Sequence, residues 1–156
     1  MKIPVKSSKA NNNNNRKKTA TGLCFTMKNL ESAQAAGIAP WDLVVAEMPA
    51  YVIYQDRYPV APGHLLFVPR TDSIDDISQC YQAAHIMGEW LVSNSGADAY
   101  NVGMNCGTAA GQTVMYPHIH MIPRRSGDCA DPVGGVRGVI PGQANYKTGT
   151  YQRPDK

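Results

Sequence analysis

The feature that most constrains the fold is a change of hydrophobic period in the middle of the chain. From residue 73 to residue 94, Ile77, Cys80, Tyr81, Ala84, Met87, Gly88 and Leu91 recur at three and four residues, the spacing of one buried stripe on a helix. Ser73 suits the N-cap, Asp75 and Asp76 suit the positive end of the helix dipole, and Gly96 supplies the stop. On either side the pattern is that of strands. DLVVAEM (42–48) and YVIYQD (51–56), divided by Pro49 and Ala50, read as a hairpin, and HLLFVPR (64–70) extends it into an antiparallel meander. AYNVGMNC (99–106) reads as a fourth strand and residues 111–125 as a fifth. A short helical turn is expected at 31–36, closed by Gly37 and broken by Pro40. Strands, one helix and strands again predict an α+β fold: about five antiparallel strands with one main helix packed on the sheet.

A chain of 156 residues supports one core of ordinary size. Residues 1–20 hold six basic groups, no acid and the run Asn11 to Asn15, and read as a disordered arm. Residues 21–156 read as a single domain whose part from about 126 is a Gly/Pro-rich extension, expected as an ordered loop packed on the body or on a partner. The formal charge of +3 divides into +6 on the arm and −3 on the rest. The body therefore lacks the basic excess that drives phosphate-backbone binding, and no nucleic-acid partner is expected. No apolar run approaches the ~18 residues of a membrane span, and the start lacks the apolar core of a secretory signal. A soluble cytoplasmic protein without a membrane partner is expected. Cys24, Cys80, Cys106 and Cys129 form no CxxC pair and read as free thiols or core residues.

The chemistry points to GQTVMYPHIHMIPRR (111–125). On a strand, Tyr116, His118, His120 and Ile122 share one face, while Pro117, Ile119, Met121 and Pro123 form an apolar underside. Pro117 cannot donate to a ladder, so the strand is expected at a sheet edge. Two imidazoles on one face are open to two uses. They fit a transition-metal site, for which His64 and His85 are the only further histidines. They equally fit nucleophilic attack on an acyl or phosphoryl centre, one ring attacking while other groups orient it or protonate the leaving atom. Nearby, Gly107 and Gly111 flank a loop followed by Gln112 and Thr113, able to aim N–H groups, an amide and a hydroxyl at phosphate oxygens. Trp41 and Trp90 are read as packing residues and His85 as structural. Asp56 suits a cap for the turn before Pro59.

GQTVMYPHIHMIPR, DRYPVAPGHLLFVPR (56–70) and YNVGMNCGTAAGQTV (100–114) together resemble the histidine triad (HIT) family of nucleotide hydrolases and transferases. The family signature is Gly-Gln-Ser/Thr-Val-x-His-x-His-x-His, and this chain departs from it at the first histidine, which is Tyr116. The resemblance implies a HIT-like fold and a hydrolase that cleaves at the α-phosphate of nucleoside phosphoramidates or dinucleoside polyphosphates and releases a nucleoside monophosphate. It implies His118 as the nucleophile that forms a nucleotidyl-histidine, with His120, His64 and Thr113 completing the catalytic set. His120 would pass a proton to the leaving atom with a pKa near the ordinary ~6.5. Asp56, Asn105, Gln112, Gly111 and Tyr116 would bind the nucleotide, Asp56 through the ribose hydroxyls. A purine nucleotide substrate and a homodimer are implied, and no cofactor. Tyrosine cannot titrate near neutrality as histidine does, so Tyr116 also raises the alternative of a nucleotide-binding regulatory module with little turnover. Some bacterial members look like zinc proteins, but the corresponding positions here read Cys24 with Met27, Asp72 and Tyr116, so no metal is expected.

Overall fold

Three consecutive strands pair as a meander, following the β-branched runs of the sequence. The computed structural model describes residues 28–148. β1 (Val44–Glu47), β2 (Tyr51–Gln55) and β3 (Leu65–Pro69) are antiparallel neighbours. Met48 N–H donates to Tyr51 O at 2.8 Å, closing the Pro49-Ala50 turn. β4 (Ala99–Gly103) and β5 (Ile119–Arg124) complete one antiparallel sheet in the order β1-β2-β3-β5-β4. The expected architecture, five antiparallel strands with one main helix, is the one observed.

The placement of β5 corrects the edge expectation. It lies between β3 and β4, and the edges are β1 and β4. The strand begins only at Ile119, so residues 111–118 are loop and turn, and Pro117 stands outside the ladder. Pro123 is inside β5, but it faces Tyr100 of β4, and the pairing of β5 with β3 has already ended at Met121 and Leu65. No donor is missed there.

The helical period becomes α2 (Ile74–Ser93), with the Ser73 hydroxyl accepting from Asp76 N–H at 3.2 Å as the N-cap. Its stripe of Cys80, Ala84 and Gly88 is buried against β3, β4 and β5. Gly88 allows a close approach, since a Cβ there would stand 2.4 Å from the Tyr100 ring. The left-handed residue at the helix end is Ser95 (φ 60), not Gly96, which instead donates to Leu91 O at 2.7 Å. Under α2 lies one core layer, built on Ile53, Phe67, Ile119 and Met121.

The other face of the sheet carries α1 (Leu30–Ala35), capped by the Asn29 side chain accepting from Ser32 N–H. Here Leu30, Val52, Tyr54, Leu66, Val68 and Tyr116 form a second core layer. Strand alternation thus divides the apolar residues between the two faces. The chain beyond Arg125 folds back on the body, its 3-10 segment Gly135–Val139 packing against β4. Gly134 is needed at this fold-back: its φ is 89°, and a Cβ there would lie 1.7 Å from Ala144 O. Cys80, Cys106 and Cys129 are free thiols. The basic arm 1–20 and Cys24 lie outside the described residues. Among the described residues, no helix is long and apolar enough to cross a membrane.

Candidate active site

Three imidazoles meet on the sheet face opposite α2. His118 ends the turn that enters β5, His120 is its second residue, and His64 directly precedes β3. Because β3 and β5 pair with Leu66 opposite His120, His64 is carried beside it. His64 Nε2 and His120 Nδ1 are 2.9 Å apart, and the His118 and His120 rings meet edge-on at 5.0 Å between centroids. Fifty-four residues of sequence separate His64 from His118, and sheet pairing closes that distance.

The hydrogen bonds assign the protons. His118 Nδ1 lies 2.8 Å from the main-chain oxygen of Tyr116. A carbonyl only accepts, so Nδ1–H donates and the lone pair of His118 is left on Nε2. Val60 N–H donates to His64 Nδ1 at 3.4 Å, so neutral His64 carries its proton on Nε2 and gives it to His120 Nδ1. His120 then keeps its own proton on Nε2 as a donor. The Trp41 ring packs against His118, with centroids 4.9 Å apart, and covers one side of it.

Burial opposes charge on all three rings. His118 is only 7% exposed, and desolvation holds its pKa below the ordinary value, the bond to the Tyr116 carbonyl offsetting part of that. His64 is lowered by burial, with partial relief from the Asp56 carboxylate. His120 is pushed down to about 4, by burial first and then by His118 and His64. This corrects the expected ordinary value for His120: in the free protein it is a neutral donor at pH 7. A bound phosphate brings negative charge next to these rings and draws their pKa values upward.

Stability follows. Each ring binds its proton less tightly folded than unfolded, so its contribution is complete above the unfolded value and is lost as the pH falls below it, for His120 through a window that reaches down to about 4. His120 alone accounts for about 2 kcal/mol between pH 7 and pH 5. Thermal melting should fall by about 5 °C between pH 7 and pH 5. A midpoint that does not move would mean that the rings are not sequestered from solvent.

A cavity of about 500 Å³ opens beside the histidines, lined in part by Trp41, Asp56, Leu66, Thr113, His118 and His120. Its volume falls within the ~300–1,000 Å³ of small-molecule sites. Asp56 has a divided role. One carboxylate oxygen accepts from Tyr58 N–H at 2.7 Å and caps the turn; the other lies 3.5 Å from His64 Nδ1 and 4.0 Å from His120 Nδ1. Arg57 pairs with Asp42 at the rim. Sequence reasoning missed Trp41 as a lining residue. Its signal was the position just ahead of the first strand, from which the ring reaches Tyr54 and His118.

The remaining candidates separate. Thr113 lines the cavity. Gln112 is spent on the loop, its amide oxygen accepting from Gly107 N–H at 2.7 Å and its nitrogen donating to Val114 O at 3.0 Å. Gly107 (φ 86) and Gly111 (φ 85) take left-handed conformations at the two ends of the loop's 3-10 turn. Asn105 lines a second cavity that shares His64 and His120 with the first. Tyr116 does not belong with the nucleotide-binding residues. It is 1% exposed in the core, its hydroxyl donates to Pro69 O at 3.0 Å, and burial raises its phenol pKa. Only its main chain reaches the site, through the bond that orients His118.

The same geometry bears on metal. Tyr116 is committed to Pro69 and to the core, so it does not fit a zinc-ligand role; Cys24 and Met27 lie outside the described residues. Asp56, His64 and His120 offer ligand atoms within 4.8 Å of one another and could hold a metal ion. His118 stands outside that group.

Residues 41–127 match the family model described as HIT domain, which is more than half of the chain. The chain is 30% identical over 102 residues to an adenylylsulfatase of Arabidopsis thaliana, covering 56% of this chain and 52% of that protein. It is 33% identical over 110 residues to an AP-4-A phosphorylase of Mycobacterium tuberculosis, covering 64% and 55%. The chain thus spans about half the length of these curated relatives. Among solved structures it is similar to a Zn-bound histidine triad family protein from Mycobacterium smegmatis, with a TM-score of 0.54 and 28% identity over 64% of this chain and 76% of that one.

Proposed function

The chain belongs to the HIT domain family, and from that premise we propose that it is a nucleotide-phosphate hydrolase acting through a nucleotidyl-histidine on His118. Its substrates are nucleoside phosphoramidates or dinucleoside polyphosphates, cleaved at the α-phosphate to a nucleoside monophosphate. The observation that carries this reading is the proton assignment at His118: Nδ1–H is tied to the Tyr116 carbonyl, and a neutral Nε2 lone pair remains for attack. In this reading the nucleoside lies in the Trp41 cavity, with the free Asp56 oxygen accepting from the ribose hydroxyls. Thr113 and the N–H groups of its loop hold phosphate oxygens, where developing charge makes such donors most effective. The relatives' names, adenylylsulfatase and AP-4-A phosphorylase, denote adenylyl substrates and favour a purine nucleotide. The regulatory alternative rested on Tyr116, whose ring is core rather than site.

A homodimer is part of the proposal. Met48, Ile86 and Trp90 are exposed around an apolar cavity of about 520 Å³ between α2 and the β2 side of the sheet, a surface that a second copy would cover.

The test is chemical. Rapid acid quench of the protein with a slowly hydrolysed adenosine phosphoramidate, followed by peptide mass analysis under conditions that spare P–N bonds, should find adenylate on the peptide carrying His118. Turnover with the adduct on another residue, or no turnover of any such substrate, would overturn the reading.

A further inference from the structure

Asp56, His64 and His120 bring three electron-pair donors close together. In the proton assignment above both rings carry their hydrogen on Nε2, so both Nδ1 atoms are without one. The Asp56 oxygen that does not cap the turn lies 3.5 Å from His64 Nδ1 and 4.0 Å from His120 Nδ1. A carboxylate and a ring nitrogen bearing a lone pair repel at that range, and His64 is only 3% exposed, so little water screens them. Among the described residues, Val60 N–H at 3.4 Å is the one hydrogen-bond donor that reaches His64 Nδ1. A cation between the three atoms turns the repulsion into attraction.

We propose that Asp56 Oδ2 and the Nδ1 atoms of His64 and His120 form a binding site for one late first-row divalent ion, of the Zn²⁺, Co²⁺ or Ni²⁺ class. Bonds of about 2.1 Å place tetrahedral ligands about 3.4 Å apart. The separations of 3.5 and 4.0 Å, with all three ligand atoms within 4.8 Å of one another, need only a small inward movement to meet that. Two imidazoles and one carboxylate favour such ions over Mg²⁺ and Ca²⁺, which take oxygen ligands. Both rings already hold the tautomer that ligation through Nδ1 requires, so binding releases no proton. Tyr58 N–H holds the other Asp56 oxygen at 2.7 Å and orients the carboxylate. The cost is the hydrogen bond between His64 and His120, which breaks as the His120 Nδ1 lone pair turns to the ion. His118 is not a ligand, since its Nδ1–H is tied to the Tyr116 carbonyl. Three protein ligands leave a fourth position for water.

The site has a consequence that rests on the hydrolase reading above. Asp56 Oδ2 is the acceptor assigned there to the ribose hydroxyls, and an ion bound to it takes that electron pair. Metal and nucleotide therefore exclude one another, and the ion is an antagonist of the substrate rather than a participant in its cleavage.

The site can be tested without substrate. Equilibrium dialysis of the metal-free full chain against Zn²⁺, with elemental analysis, should find one ion per chain. Titration with Co²⁺ should give visible d–d bands without the near-ultraviolet band of thiolate ligands, which separates this site from the cysteines. Asp56→Asn keeps an oxygen for Tyr58 N–H and so preserves the turn. That variant and His120→Asn should each weaken Co²⁺ binding at least about tenfold, while His118→Asn should stay within about threefold of the parent. Adenosine monophosphate at about ten times its own Kd should raise the apparent Kd for Co²⁺ about tenfold. No binding by the parent, binding unmoved by both Asp56→Asn and His120→Asn, or a thiolate band overturns the site while leaving the hydrolase reading standing. Binding that both variants weaken but adenosine monophosphate leaves unmoved upholds the site and overturns the placement of the ribose at Asp56.

Discussion

His118→Asn is expected to lower kcat/KM for any nucleotide substrate by at least about 10⁴-fold and to abolish the adenylated peptide. Asparagine can still donate a hydrogen bond to the Tyr116 carbonyl, so the turn before β5 keeps its orienting contact. What it lacks is a lone pair able to attack phosphorus. His120 is the nearest replacement, but it is poorly placed for the role, because its Nδ1 accepts from His64 and its Nε2 carries the proton. Trp41 would lose a ring partner at 4.9 Å, a modest effect on binding. The variant should therefore bind nucleoside monophosphate within a few-fold of the parent while failing to turn over. A variant that retains a tenth of the parent's kcat/KM moves the nucleophile to another residue.

How much of this was legible in the sequence depended on the range of the interaction involved. The α2 stripe was readable because a helix buries residues according to local spacing alone, and Cys80, Ala84 and Gly88 face the sheet as that spacing requires. The two faces of 119–123 were readable from local spacing too: Ile119 and Met121 are fully buried under α2, and His120 points the other way, whereas 116–118, expected on the same strand, lie in the turn before it. The position of β5 in the sheet was not readable. Which strand becomes an edge depends on pairings between segments distant in sequence, and Pro117 misled because it stops short of the ladder rather than interrupting it. Gln112 and Tyr116 carry functional chemistry as residue types, but the loop and the core claim their polar atoms. Burial produced the other difference, since desolvation first, and then His118 and His64 beside it, push His120 well below the ordinary histidine range.

The sheet that assembles these rings has its own weak point, and Phe67→Ala is expected to destabilise the fold by about 3–5 kcal/mol, a large share of the ~5–15 kcal/mol typical of a domain. Phe67 is fully buried at the centre of β3, paired with Ile53 of β2 on one side and Ile119 of β5 on the other. Its ring also meets Tyr51, with centroids 6.1 Å apart. Removing it leaves a cavity between sheet and α2 that Ile53, Ile119 and Met121 cannot fill without shifting the strands. Those strands carry the site: His64 directly precedes β3, and His120 directly follows Ile119. The ring itself points away from the histidines, so the fraction that remains folded should keep its catalytic constants. Chemical denaturation should show a lowered midpoint with an unchanged slope, while kcat/KM measured well below that midpoint stays within about twofold of the parent. A loss below 1 kcal/mol would show that the α2 layer collapses around the gap; an equal loss in kcat/KM would show that packing beneath β3 also sets the distance between His64 and His120.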